Sequence, residues 1–131
     1  FYDLPGNSSL NPGFRPHAPV TTVQVARGDE IVQDMVPGRR VDLMKIDTES
    51  TEPDVLAGLS ATVQRDKPTI FCEVLASRTE ADLQELLHAW NYQAWWLTAD
   101  GPRGPGPIVG DPTNLHANWL FLPEGSTPLD P

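Results

Sequence analysis

Val41 to Gly58 constrains this chain more than any other stretch. Val41 to Ile46 is an apolar run interrupted only by Asp42 and Lys45, as expected of a strand near the centre of a sheet. Asp47, Glu49 and Glu52 fall just beyond its carboxyl end. Thr51 then offers an N-cap, Pro53 sits in the first turn where its missing N–H costs nothing, and Val55, Leu56, Leu59 and Val63 form an apolar helical stripe. Strand, acidic turn and helix in this order build open α/β sheets, whose ligands bind outside the carboxyl ends of the strands.

The flanking sequence extends the same alternation. Phe1 to Pro19 has no sustained period and reads as irregular. Val20 to Ala26 alternates as a short strand, and Asp29 to Met35 reads as a helical turn stopped by Pro37-Gly38. Thr69 to Leu75 is a second strand, apolar except for Glu73. Thr79 and Asp82 open a helix with Leu83, Leu86, Leu87 and Trp90 inward; Asn91 suits its left-handed stop, and Tyr92 to Leu97 follows as a strand. The Gly- and Pro-rich segment 99–117 reads as a loop, divided evenly between a lid and a loose surface excursion, and 118–123 as the last strand. Strands joined by single helices demand parallel pairing, whereas the final two strands have no helix between them and are expected to be antiparallel. The chain thus reads as one α/β domain: a lead-in over 1–40, a βαβαβ core over 41–98, the loop and the closing strand.

The sequence also resembles a known family. Val41-Asp42-Leu43-Met44-Lys45-Ile46-Asp47, then Glu49, Glu52 and Val55-Leu56-Ala57-Gly58, followed by Pro68-Thr69-Ile70 and Glu73, are similar to the V-D-L-I-K-I-D-x-E-G-x-E-x-x-V-L-x-G and P-x-I-x-x-E signatures of the FkbM family of S-adenosylmethionine-dependent methyltransferases. The likeness is specific over Val41 to Leu75 and weaker at Asn7 to Leu10, Val23 to Val32 and His116 to Pro123. Ser50 stands where the family has glycine, so the backbone there loses cheap access to positive φ. The resemblance implies a partial class I methyltransferase sheet, Rossmann-like and mostly parallel with flanking helices, and S-adenosylmethionine as cofactor of the complete domain. The Gly-rich loop after strand one and the acid after strand two that would hold the cofactor are not found here. The chain therefore reads as the second half of the fold, inactive alone, with Val41 to Asp47 left as an edge open to self-association.

Methyl transfer to a hydroxyl needs alignment and a proton acceptor. Asp47, at the strand's end, is the first candidate for catalysis and for a place beside the cofactor, with Glu49 supporting it. Glu52, Glu73, His116 and Asn118 are the candidates for holding the acceptor. Lys45 and Glu73, the charges inside two adjacent apolar strands, read as a buried structural pair. Trp90, Trp95, Trp96 and Trp119 could supply a stacking platform, although Trp90 and one of the adjacent Trp95 and Trp96 suit the core better. Hard oxygens at Asp47, Glu49 and Glu52 would suit magnesium or calcium, but no metal is required.

Composition narrows the partners. A formal charge of −9, with nine scattered Lys and Arg in 131 residues, argues against nucleic-acid backbones and anionic membranes. A lone Cys72 inside an apolar strand asks for no oxidising compartment, and no stretch has the length of a membrane span, so a cytoplasmic location is expected. The resulting expectation is methyl transfer to a hydroxyl of a sugar or secondary metabolite, a small-molecule acceptor. Its rival is a non-catalytic α/β module that kept the sheet and lost the cofactor.

Overall fold

A computed structural model describes residues 23–128. The irregular lead-in expected over Phe1 to Pro19 lies outside these residues, as does the start of the strand expected at Val20 to Ala26; Val23 to Arg27 form no strand. Helix α1 spans Gly28–Met35, ending beside Pro37-Gly38 as expected. Strand β1 is Leu43–Ile46, with Met44 and Ile46 turned into the core and Leu43 and Lys45 turned out.

The helix expected after Thr51 is two helices, α2 over Glu52–Gly58 and α3 over Ser60–Asp66, broken where Leu59 leaves helical geometry at φ −107° and ψ 10°. The apolar stripe continues through the break, with Leu56 and Val63 both fully buried. What starts the second helix comes from a distance. Asp29 on α1 accepts hydrogen bonds from the backbone N–H groups of Ala61 and Thr62 at 3.1 and 2.8 Å, satisfying donors that the first turn of α3 leaves orphaned. Strand β2 is Thr69–Glu73, α4 is Glu80–Trp90 with Leu83, Leu87 and Trp90 buried, and Asn91 closes α4 in the left-handed region. Strands β3 (Tyr92–Thr98), β4 (Gly101–Arg103) and β5 (Asn118–Pro123) complete the chain.

The sheet runs β1-β2-β5-β3-β4. Only β1 and β2 pair in parallel; β5 is antiparallel to both β2 and β3, and β4 is antiparallel to β3. The fold is α/β, but its sheet is mostly antiparallel, which corrects the mostly parallel expectation. The reason lies in β5. The three strands that follow helices do run the same way, yet β5 arrives without a helix and inserts antiparallel between β2 and β3, replacing their parallel contact with two antiparallel ones. Helices α2, α3 and α4 bury the face carrying Met44, Ile46, Ile70, Cys72 and Phe121. The opposite face is open at β1 and β2, where Leu43 and Phe71 are 59% and 36% exposed, and among the described residues β1 lies at the sheet's edge. Among the described residues no helix is long and apolar enough to cross a membrane.

The segment after β4 is neither a hinged lid nor a loose excursion, because it is tied down along its length. Gly106 N–H donates to the Ala94 carbonyl, Ile108 N–H to the Gln84 side chain at 2.9 Å, and Leu75 bridges to Asp111. Ile108, Gly110 and Ala117 are buried. The Glu80 carboxylate, which accepts from the N–H groups of Ser77 and Arg78, also accepts from Gly110. At Gly110 a Cβ would lie 2.5 Å from Ala76 Cα and 2.9 Å from its nitrogen, so the close approach of two backbones requires glycine. Gly110→Ala should therefore lower the unfolding free energy by about 1–3 kcal/mol, as overpacking against unyielding backbone does; urea denaturation measures it, and an unchanged midpoint would show that the strap is not seated on Ala76.

Candidate active site

The parallel register sets Ile46 beside Cys72. The next positions, Asp47 and Glu73, therefore emerge level with each other at the carboxyl ends of β1 and β2. Across β2, Glu73 is the partner of Asn118 on β5, so their side chains share a face. Glu49 joins them from the turn: one carboxylate oxygen from each of Asp47, Glu49 and Glu73 lies within 4.8 Å of the others. Such spacing would admit a cation, and no ion is assigned to it.

Lys45 does not pair with Glu73, and the pair is not buried. Its ammonium donates to Asp47 Oδ2 at 2.6 Å, and the two side chains are 65% and 43% exposed. The register explains the change of partner: Lys45 stands opposite Phe71, one row below Glu73, while Asp47 lies on its own strand and face. An exposed pair of this kind contributes about 0–1 kcal/mol, not the stability of a buried charge pair. Glu73 makes no ion pair among the described residues, and Lys45 offsets its charge only from a distance. Its Oε2 is buried with no hydrogen-bond partner, and its carboxyl pKa is raised to about 7, first by burial and then by the charges of Asp47, Glu49 and Glu52. Beside it, burial pushes the Cys72 thiol far above the ordinary range, which makes it an inert core residue.

Glu52, expected to hold the acceptor, is fully buried and serves the turn instead. Its Oε1 accepts from Thr48 N–H at 2.9 Å, Ser50 N–H at 3.1 Å and the Thr48 hydroxyl at 3.2 Å; its Oε2 has no partner. The Thr51 hydroxyl makes no helix cap and donates to the Thr48 carbonyl. These bonds fold residues 48–51 into a knot that holds Glu49 and Ser50 at φ 53° and 79°. Ser50 thus adopts the left-handed geometry that glycine takes without cost. Its hydroxyl lies 3.5 Å from Arg78 Nη1, a contact that joins this turn to the one after β2.

His116 and the tryptophans are placed differently from the expectation. The contacts of His116 are with the strap and β3: its N–H donates to Asp111, its carbonyl accepts from Trp96 Nε1 at 2.7 Å, and its exposed ring meets the Trp96 ring edge-on at 6.3 Å. Trp96 and Trp119 stack at 6.4 Å and line a groove of about 390 Å³ with Pro107 and Val109. Trp119 pairs with Cys72, so both rings belong to the helix-covered face, across the sheet from Glu73 and Asn118. Trp90 is core, His88 is exposed on α4, and His17 lies outside the described residues. A larger groove of about 810 Å³ runs between residues 25–31 and 50–58 and reaches Ser50, but not the carboxylates.

The model of the methyltransferase FkbM domain matches residues 5–94, well over half of the chain, and the chain belongs to that family. No curated protein and no solved structure matches it. Membership implies methyl transfer and the general use of S-adenosylmethionine. The three carboxylates suit the sulfonium's positive charge. No glycine-rich turn leads from a strand into a helix among the described residues, so they fit the charged centre of the cofactor and provide no cradle for its adenosine.

Two substitutions probe the turn. Glu52→Ala strands the N–H groups of Thr48 and Ser50 and should cost about 2–4 kcal/mol in chemical denaturation, whereas a loss below about 0.5 kcal/mol would mean that the turn holds itself. Ser50→Gly relieves the left-handed strain and should add about 1 kcal/mol, read as a raised thermal midpoint.

Proposed function

We propose that the complete domain transfers a methyl group from S-adenosylmethionine to a hydroxyl of a small metabolite, of the sugar or polyketide class, and that this chain supplies the acceptor side of the site. The observation that carries the reading is the convergence of Asp47, Glu49 and Glu73, with Asn118 beside Glu73, at the carboxyl ends of β1 and β2 in a chain of this family. Concentrated negative charge favours a sulfonium close by, and a carboxylate can relieve a hydroxyl of its proton as it is methylated. Asp47, fixed by Lys45, and Glu49, fixed by the turn, border the cofactor's charged centre in this reading; Asn118 offers an amide to the acceptor. A buried Cys72 accords with a cytoplasmic enzyme, and the edge of β1, unpaired among the described residues, is the surface through which the isolated chain would associate with another copy.

The test is transfer of tritiated methyl groups by the full-length protein to a panel of monosaccharides, glycosides and polyketide alcohols. Labelled methyl ether is the expected product, and Asp47→Asn should reduce its formation by about 10-fold or more. Cofactor binding without transfer to any hydroxyl would remove the O-methylation reading, and absence of both would favour a binding module that has kept only the sheet.

A further inference from the structure

Three acids bordering one crevice need not share one role, and their surroundings separate them. Asp47 is the most exposed of the three, and the Lys45 ammonium already occupies its Oδ2 at 2.6 Å. Glu49 is carried on the strained turn at φ 53°, so its direction depends on the knot tied by Glu52. Glu73 alone rises from the interior of the sheet, half-buried at the end of β2 between β1 and β5. Its Oε2 is enclosed and has no hydrogen-bond partner among the described residues, and Asn118 stands directly opposite on the same face. An acid held in a strand paired on both sides, with no ion pair among the described residues, has the strongest reason to take up a proton, and Asn118 beside it can orient the hydroxyl that gives one.

We infer that Glu73 is the general base of the transfer, and that Asp47 acts on it through charge and is not itself the proton acceptor. The inference rests on the methyl-transfer reading. As the acceptor oxygen forms its bond to the methyl carbon, the carbon–sulfur bond breaks with its electron pair left on sulfur, and the hydroxyl proton passes to the Glu73 carboxylate. The sulfonium's positive charge disappears and one of the three negative charges disappears with it, so the crowded acids are relieved in the same event. The groups that face Glu73 are Asp47 and Glu49 from β1 and its turn, Glu52 from α2, Lys45 from β1 and Asn118 from β5. The acids raise its affinity for a proton and Lys45 opposes them. A base with a pKa of about 7 is half charged near neutrality and still binds a proton well, the compromise that suits general-base catalysis.

The experiment uses the full-length protein and two readouts. Carbon-13 NMR of the cofactor-free protein should show the Glu73 carboxyl titrating near pH 7, and its midpoint should move to lower pH in Asp47→Asn, where a repelling charge is gone. In the methyl-transfer assay, wild-type kcat/KM should rise with pH through the same midpoint to a plateau. Glu73→Gln should erase that rise and lower the plateau by about 10²–10⁴-fold, whereas Asp47→Asn should keep the rise and shift it to lower pH. Titration of Glu73 near 4.5, or a Glu73→Gln enzyme that keeps the wild-type rise, overturns the assignment while leaving methyl transfer standing. Loss of the rise in Asp47→Asn and not in Glu73→Gln would make Asp47 the base. A wild-type protein that transfers no methyl group overturns both readings, whatever the NMR midpoint.

Discussion

The register between β1 and β2 is the constraint from which the site follows. Pairing Ile46 with Cys72 brings Asp47 and Glu73 out of the sheet at the same height, and like charges at that separation repel strongly unless something compensates them. Lys45 pairs directly with Asp47 and offsets Glu73 only from a distance. A slip of one residue would turn Lys45, Asp47 and their row to the helix-covered face and destroy both site and core, so the buried faces of Met44, Ile46, Ile70 and Cys72 fix the chemistry as firmly as they fix the fold.

A second layer of control comes from Glu52. Its buried carboxylate takes two backbone N–H groups and a hydroxyl on one oxygen, which offsets much of the cost of removing a charge from water. The strained conformations of Glu49 and Ser50 persist because those bonds over-determine the turn. Glycine at position 50 would reach the same shape without strain. With serine there, the turn keeps its geometry at some expense of stability and gains a hydroxyl near Arg78.

What the sequence disclosed follows the strength of local patterns. Apolar runs at 41–47, 69–75, 92–97 and 118–122, and the i, i+3, i+4, i+7 stripe from Leu83 to Trp90, each became the element they predict. The antiparallel closing strand was legible because no helix precedes it. Strand β4 was not, since Gly101-Pro102-Arg103 has no strand signature and pairs only because the hairpin carries it to the edge, where proline is tolerated. The break at Leu59 was hidden because its cause, Asp29, lies 33 positions from Thr62. Composition made segment 99–117 look unanchored, although Glu80 and Gln84, both on α4, pin it. Of the acids, the sequence placed Asp47, Glu49 and Glu52 beyond the strand, but which carboxylate is buried in the turn, which meets Lys45 and which lies level with Asp47 are decided by register and by the turn over residues 48–51.

The place of β5 bears on how the molecule is made. Among the described residues it is the last strand in sequence and the middle strand of the sheet, so neither β2 nor β3 gains its inner neighbour until the whole strap has been synthesised. At about 5–20 residues per second, β2 waits for seconds on the ribosome with one edge uncovered. Its hydrogen-bonding groups are open to pairing with other chains during that interval.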